Sequence, residues 1–164
     1  MARLFFLNFS FWLFNLVIPP TIQSGEFPSS ISNQFEDAVK CIKKFEGWHS
    51  KNHYPYVGYG HKLLPNDKFD HNISESFADS LLKKDLRQKC AVFRDMGIDS
   101  LLLGVLAYNI GEYKVLKSSL YRKLKSGNRD IYREYTSFRK YRGKVVMSLE
   151  KRRKYEFDLL YVNE

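Results

Sequence analysis

The stretch that decides the fold is FEGWHSKNHYPYVGYGH, residues 45–61. It closes an apolar periodic segment with an acid, Glu46, and continues at once with Gly47, followed by aromatic residues, histidines and alternating glycines. Glycine takes the left-handed conformation that closes many helices, so this pattern predicts the end of a helix. The position therefore places a carboxyl group at a helix C-terminus, where its presence needs a reason.

The segment before it is predicted to form the first helix, from Asn33 to Glu46. Asn33 and Glu36 have the spacing of a capping box. Apolar residues recur at helical intervals at Phe35, Ala38, Val39, Ile42 and Phe45. At about 100° per residue, Glu46 projects from this apolar face. An acid on a buried face must be paired, neutral or functional.

Two environments are open to Glu46. Burial and the partial negative charge at the helix C-terminus both favour the protonated carboxyl group, which is what general acid catalysis of glycosidic cleavage requires. The alternative is a structural ion pair, with Arg152 or Arg153 of the last predicted helix as its partner. The helical pattern by itself supports both interpretations equally.

Downstream, YPYVGYGHKLL (residues 54–64) is predicted to form a small hairpin, because it combines β-forming residues with glycines. Gly58 and Gly60 are two residues apart, so on a strand both leave the same face bare for a ligand. Tyr56 and His61 flank them, and such a surface suits a sugar. The alternative is a tightly packed corner in which His61 forms only structural hydrogen bonds.

The rest of the sequence returns to helical periodicity. The segment SLLLGVLAYNI, residues 100–110, is apolar nearly all round and is therefore predicted to be the central helix. Helix starts are predicted at Ser74, Asp99, Ser118 or Ser119, Asp130 and Ser148. A small β-element after the first helix, followed by a series of helices, predicts an α+β fold with two lobes.

The N-terminus indicates export. Residues 1–24 carry Arg3 before a long apolar run and contain no acid, which is typical of a secretory signal peptide. If it is not cleaved, this segment is predicted to act as a membrane anchor, the one membrane contact we expect. Residues 25–32 are predicted to be a short linker, and residues 33–164 the folded domain.

The composition bears on partners and cofactors. A formal net charge of +9 favours an anionic partner, and because an exported basic protein seldom targets nucleic acid, a wall polymer is preferred. We expect a monomer without a cofactor or metal, since the histidines and cysteines lack the paired spacings of metal ligands. Cys41 and Cys90 fall in predicted helices, where two small core residues are favoured over a disulfide.

With these residues in view, the chain resembles the phage-type lysozymes, the endolysin-like muramidases of glycoside hydrolase family 24. The motifs that carry the resemblance are Glu46-Gly47, YVGYGH (56–61), AYNIG (107–111), SSLYRKLKSG (118–127) and SLEKRRKYEFDLL (148–160). The resemblance implies a two-lobed lysozyme-like fold that hydrolyses the β-1,4 bond between N-acetylmuramic acid and N-acetylglucosamine in peptidoglycan. It also implies that Glu46 is the proton donor.

Substrate binding is predicted for Gly58, Gly60, His61 and Asn109. The central-helix position of Asn109 suggests a hydrogen bond across the cleft, and the alternative is a cap for the turn at Gly111.

The chain departs from the family at the second catalytic group. Members carry an aspartate between the glutamate and the hairpin, and a threonine at the first position of the hairpin motif, which together hold the attacking water. Residues 47–59 contain no acid, and Tyr56 stands in place of the threonine. Candidates for the missing role are, in order, His53, Tyr56, His49 and Asp70, with Asp67 also considered. The alternative function is a catalytically silent module that binds peptidoglycan.

Overall fold

The computed structural model describes residues 29–163. The predicted signal peptide of residues 1–24 and residues 25–28 of the predicted linker lie outside the described residues. Within the described part, no helix is both long and apolar enough to cross a membrane.

The described residues form seven α-helices, two short 3-10 helices and two β-hairpins. The α-helices are α1 Ser29–Glu46, α2 Glu75–Val92, α3 Ser100–Ile110, α4 Glu112–Leu116, α5 Ser119–Lys125, α6 Tyr132–Thr136 and α7 Met147–Leu160. The strands are β1 Tyr56–Val57, β2 His61–Lys62, β3 Lys140–Tyr141 and β4 Lys144–Val145, and the 3-10 helices are Lys51–His53 and Arg94–Asp99. This arrangement confirms the predicted α+β fold.

Helix α1 ends where the sequence predicts but begins earlier. The backbone amide of Gly47, at φ 66°, donates to the carbonyl of Lys43 at 3.1 Å and closes the helix after Glu46. At the other end the helix begins at Ser29 instead of Asn33, so residues 29–32 are helical and do not form part of a linker. The reason is that no proline or glycine between Ser29 and Asn33 forces the chain out of helical geometry.

The later helix starts agree with the sequence where a serine side chain acts as the cap. Ser74 accepts a hydrogen bond from the amide of Phe77, and Ser118 accepts one from the amide of Tyr121. Asp99 precedes α3 but makes no capping bond, because its carboxylate pairs with Arg129 instead. The starts predicted at Asp130 and Ser148 are each displaced by one or two residues, since α6 begins at Tyr132 and α7 at Met147.

Helix α3 is the centre of the helical lobe, as its composition predicts. All residues from Leu101 to Ala107 are buried, and α3 contacts α1, α2, α4 and α7. Gly104 brings α2 close, since a β-carbon there would lie 2.5 Å from Sγ of Cys90. Cys41 and Cys90 are both free, in agreement with the favoured interpretation, and burial raises the pKa of their thiols to about 12 and about 11.

The small lobe is the β1–β2 hairpin, in which Tyr56 pairs with Lys62 and Val57 with His61. Its strands are so short that Gly58 and Gly60 lie in the turn, at φ 56° and 97°, and not on a strand. Strand alternation therefore does not apply, and the prediction that both glycines leave one face bare is wrong.

The two glycines face different neighbours. A β-carbon at Gly58 would lie 2.8 Å from Cβ of Ala78, so this glycine lets the hairpin rest on α2 and does not contact a ligand. A β-carbon at Gly60 would lie 3.6 Å from the Tyr108 ring and 3.9 Å from Cγ of Glu46. Only Gly60 of the pair therefore faces the predicted catalytic acid.

Candidate active site

Glu46 lies on the wall of an open cavity of about 430 Å³ between the small lobe and the helical lobe. The end of α1 supplies Glu46, and its side chain is 18% exposed, so the carboxylate is largely but not fully removed from solvent. The other lining residues are His49, Tyr56, Gly60, Lys89 and residues 107–111 at the end of α3. This is the half-buried position that the apolar face of the first helix predicts.

Arg152 and Asn109 hold one oxygen of the Glu46 carboxylate. Nη1 of Arg152 donates to Oε1 of Glu46 at 2.8 Å, and Nδ2 of Asn109 donates to the same oxygen at 3.4 Å. The predicted ion pair is therefore present, and the paired acid also lines a cavity. The sequence correctly named Arg152 as a possible partner.

Glu156, which is fully buried, organises the two arginines of α7. Its Oε1 accepts from Nε of Arg152 at 2.7 Å, and its Oε2 accepts from Nη1 of Arg153 at 2.6 Å and from the hydroxyl of Tyr135 at 3.1 Å. Burial opposes the charge of Arg152, but the carboxylates of Glu156 and Glu46 together outweigh it and raise the pKa of Arg152. The guanidinium next to Glu46 is therefore a fixed positive charge.

Asn109 closes these contacts into a ring. Its Oδ1 accepts a hydrogen bond from Nη2 of Arg153, while its Nδ2 donates to Glu46. We call this set the acid-holding ring: Glu46, Arg152, Glu156, Arg153 and Asn109. Asn109 thus lines the cavity, as predicted, and also positions the acid. The sequence analysis missed Glu156, although its spacing of three and four residues from the two arginines is the signal for such a contact on a helix.

His61 does not line this cavity. Its Nδ1 lies 2.7 Å from Oδ2 of Asp85, and its Nε2 lies 3.3 Å from Oδ2 of Asp67. Both ring nitrogens are therefore occupied, and the side chain is only 11% exposed. The structure does not support the predicted role of His61 in substrate binding. The structural interpretation accounts for both nitrogens, because α2 and the loop after β2 each supply a carboxylate.

These carboxylates make His61 a source of pH-dependent stability. The hydrogen bond that His61 donates to the carboxylate of Asp85 is the main cause that raises the pKa of His61, against a smaller opposing effect of burial. A raised pKa in the folded state gives stabilisation that is complete below the unfolded value of about 6.5 and is lost as pH rises through the folded value. In the unmodified protein, the free energy of unfolding should therefore fall as pH rises through the folded pKa of His61. We expect His61→Gln to lack this contribution to the fall, as measured by urea denaturation across that pH range.

The matched control for this measurement is His53→Gln, which replaces an exposed imidazole of the same lobe. The control retains the decline of the unmodified protein. Equal pH dependence in His61→Gln and the unmodified protein would show that the carboxylate contacts of His61 do not contribute.

His53, the first candidate for the second catalytic role, lies outside the cavity. Its Nδ1 accepts a hydrogen bond from the backbone amide of Ser50 at 3.0 Å, which caps the first 3-10 helix. The side chain is exposed, and its ring centroid lies 5.1 Å from that of His49. The structure therefore gives His53 a capping contact in the turn and does not place it among the residues that line the cavity of Glu46.

The two aspartates after the hairpin are also away from Glu46. Asp70 is exposed and accepts from the backbone amide of Asn72 at 2.8 Å. Asp67 accepts from the backbone amide of Leu64 at 2.7 Å, which lowers the pKa of its carboxyl group. Neither carboxylate lines the cavity of Glu46, so the structure does not support either aspartate as the partner of that acid.

His49 and Tyr56 remain, and both line the cavity with Glu46. The backbone amide of His49 donates to the carbonyl of Gly58 at 2.7 Å, which fixes the loop after α1 against the hairpin. Its ring centroid lies 6.1 Å from that of Tyr56, and its buried Nδ1 has no hydrogen-bond partner within residues 29–163. These are the two polar side chains that the loop and the hairpin contribute to the cavity.

Lys89 of α2 is a cavity residue that the sequence analysis did not single out. Its Nζ donates to Oε2 of Glu112 at 2.8 Å, and this contact lowers the pKa of Glu112. The pair brings a cation to the rim of the cavity. No group of three or more histidine, cysteine or acidic side chains in the described part of the chain has the arrangement of a metal site.

The fold and the site together define a lysozyme-like protein, with a half-buried glutamate at the end of the first helix and a cavity between a small hairpin and a helical lobe. The phage lysozyme family model matches residues 43–156, and the chain belongs to that family. It is accordingly a lysozyme-type glycoside hydrolase of peptidoglycan, and the resemblance stated from the motifs is confirmed.

Solved structures share this fold. An endolysin from Escherichia coli O157:H7 phage FAHEc1 superposes with a TM-score of 0.61 at 20% identity, covering 75% of this chain and 89% of the endolysin. The muramidase domain of SpmX from Asticaccaulis excentricus superposes with a TM-score of 0.63 at 21% identity, covering 77% of this chain and 96% of that domain. At this identity the likeness extends to the fold alone. No curated protein sequence matches the chain.

Proposed function

We propose that the protein is an exported muramidase that hydrolyses the β-1,4 bond between N-acetylmuramic acid and N-acetylglucosamine, with Glu46 as the general acid. The main support is the asymmetry of the Glu46 carboxylate. Its Oε1 is held by Arg152 and Asn109, whereas its Oε2 accepts no hydrogen bond within the described residues and is not sealed from solvent. One oxygen is thus fixed by the protein, and the other is available to a substrate in the cavity.

This arrangement fits general acid catalysis. The proton donated to the glycosidic oxygen must come from a carboxyl group within hydrogen-bond reach of it, and the group must not rotate away. In this proposal Oε2 of Glu46 carries that proton, while the acid-holding ring fixes the orientation of the carboxyl plane. Asn109 acts as a positioning residue through its contact with Oε1.

We further propose that His49 is the general base that accepts a proton from the attacking water. Tyr56 positions this water through its hydroxyl group. Both line the cavity of Glu46, and among the described lining residues Glu46 is the only acid. A neutral imidazole accepts a proton near neutral pH, whereas a phenol ionises only near pH 10 and serves better as a hydrogen-bonding group. A histidine can therefore replace the aspartate that the family carries.

The two neighbouring histidines test this assignment. We expect His49→Gln to lower the rate of wall hydrolysis by about 10²- to 10⁴-fold, the usual contribution of an acid or base. His53→Gln, a matched control in the same turn, keeps the rate within a few fold because its ring lies outside the cavity. Rates of fragment release measured across a pH series give the comparison. Equal rates for the two variants would remove His49 from the mechanism.

Export is part of the proposal and rests on the sequence of residues 1–24. A basic protein outside the cytoplasm is attracted to the anionic wall over a distance of about a Debye length, so high salt weakens its binding. In this proposal the protein acts as a monomer, and residues 1–24, if retained, anchor it to the membrane.

Mass spectrometry of wall digests tests the function as a whole. A muramidase releases soluble fragments that end in a reducing N-acetylmuramic acid, because water adds to that sugar. An anhydro end would show that no water is added, and binding to walls without soluble fragments would favour a silent peptidoglycan-binding module. Either of these results contradicts the proposed hydrolysis.

A further inference from the structure

A second cavity adjoins the catalytic cavity on the small lobe. It measures about 190 Å³ and is lined by Lys51, Tyr54, Tyr56, Val57 and His71. We call this cavity the tyrosine subsite. Tyr56 lines both this cavity and the one that contains Glu46. The two cavities therefore share Tyr56 as a lining residue, so that one ligand long enough to pass this side chain is able to contact both.

The two tyrosine side chains of this subsite are exposed to solvent. Tyr54 is 80% exposed and Tyr56 is 43% exposed, although both are large aromatic residues. Within residues 29–163 neither hydroxyl forms a side-chain hydrogen bond, so neither ring is held by the fold through its polar end. An aromatic ring with an apolar face and a free hydroxyl is suited to a ligand that has both apolar and hydrated polar groups.

The cavity also contains a positive charge that no acidic side chain among its lining residues balances. Lys51 takes part in no ion pair within the described residues, and no acidic side chain lines the cavity. A lysine without a local counter-ion attracts an anionic group of a ligand. The cavity thus combines a stacking surface with one free positive charge.

We propose that the tyrosine subsite binds the glycan strand beyond the bond that is cut, with the ring of Tyr54 stacked on a pyranose and Lys51 facing a carboxylate of the attached peptide. This inference depends on the proposed function only in that the catalytic cavity accepts a peptidoglycan glycan. The ligand class is an N-acetylhexosamine oligomer long enough to pass Tyr56.

Binding is measured with the full chain carrying Glu46→Gln, so that no substrate is consumed. The probes are the disaccharide and the hexasaccharide of β-1,4-linked N-acetylglucosamine, titrated by calorimetry. We expect Tyr54→Ala to weaken binding of the hexasaccharide about threefold to tenfold, the equivalent of one aromatic contact, and to leave binding of the disaccharide unchanged. Tyr54→Phe keeps the stacking ring and retains the affinity for the hexasaccharide.

The matched control is Tyr141→Ala, which removes an equally accessible tyrosine, 62% exposed, from the β3–β4 hairpin outside both cavities. Equal hexasaccharide affinity in Tyr54→Ala and Tyr141→Ala would overturn the subsite while leaving hydrolysis untouched. An equal loss for the short and long probes would also overturn it, because that result indicates a general effect on the turn. If neither probe binds any variant, the subsite fails, whereas the proposed hydrolysis is decided separately by the fragments released from cell walls.

Lys51 is tested with a second pair of probes. We expect Lys51→Gln to weaken binding of a glycan that carries its peptide about threefold, and to leave binding of the neutral hexasaccharide unchanged. The loss must diminish at high salt, since it arises from a solvent-exposed charge. Equal losses for the charged and neutral glycans would show that Lys51 does not face a carboxylate.

Discussion

Glu46→Gln stops the release of soluble fragments from cell walls, with a loss in turnover of about 10²- to 10⁴-fold or more. Glutamine has the size of glutamate, and its carbonyl oxygen still accepts the hydrogen bonds that Arg152 and Asn109 donate to Oε1. The amide, however, has no acidic proton to give to the glycosidic oxygen. Fragment release measured under single-turnover conditions reports this step directly.

The control for this variant comes from the same helix. Glu36 of α1 forms an ion pair with Lys83 at 2.8 Å and lies outside the cavity. Glu36→Gln therefore changes the charge of α1 by the same amount without touching the acid-holding ring. It retains full activity if the loss in Glu46→Gln is due to the carboxyl group of residue 46 and not to the changed charge of α1. Similar rates for the two variants would rule out Glu46 as the proton donor.

Glu156→Ala lowers the free energy of unfolding by about 3–5 kcal/mol, the usual cost of removing one partner from a buried ion pair. Glu156 is fully buried and accepts hydrogen bonds from Arg152, Arg153 and Tyr135. Its removal leaves Arg153 without a carboxylate and strips Arg152 of one of its two. Urea denaturation measures this loss of unfolding free energy. An unchanged dependence of that free energy on urea concentration shows that the substitution does not act through the unfolded state.

A surface acid provides the comparison. Glu36→Ala breaks an exposed pair and costs at most about 1 kcal/mol. Glu156→Gln keeps the volume and one acceptor oxygen, so a loss that persists in this variant is due to the missing charge and not to a cavity. A cost below about 1 kcal/mol for Glu156→Ala would show that the arginines find other partners when the carboxylate is absent. Catalytic rates of the folded fraction fall with the same substitution, because Arg152 then orients Glu46 less firmly.

Local patterns predicted much of this protein. The periodic apolar face of α1, followed by Gly47, correctly gave the helix end and the inward direction of Glu46. The apolar run of α3 correctly gave the central helix, because a segment without a polar face has no side to present to water. In each case the signal is contained within a few helical turns, where geometry fixes which side chains share a face.

The hairpin and the histidines show where such reasoning stops. Gly58 and Gly60 were treated as strand residues, but they occupy a turn whose backbone angles do not follow a two-residue period. His49 and His53 both lie in the short segment between α1 and β1, and their order in the sequence does not reveal which of them lines the cavity of Glu46. The pairing of His61 with Asp85 depends on how the hairpin docks on α2, which no local pattern encodes.

The acid-holding ring joins two helices that are far apart in the sequence, since Glu46 of α1 and Arg152 of α7 are separated by 106 positions. During translation the acid emerges long before the guanidinium that orients it. A nascent chain without α7 thus has the carboxyl group of Glu46 but lacks the guanidinium that holds it, so we expect the orientation of this acid to become fixed only after α7 has packed on α1. Proteolytic cleavage at the exposed β3–β4 hairpin, followed by loss of α7, would remove Arg152 and leave Glu46 in place without its guanidinium partner.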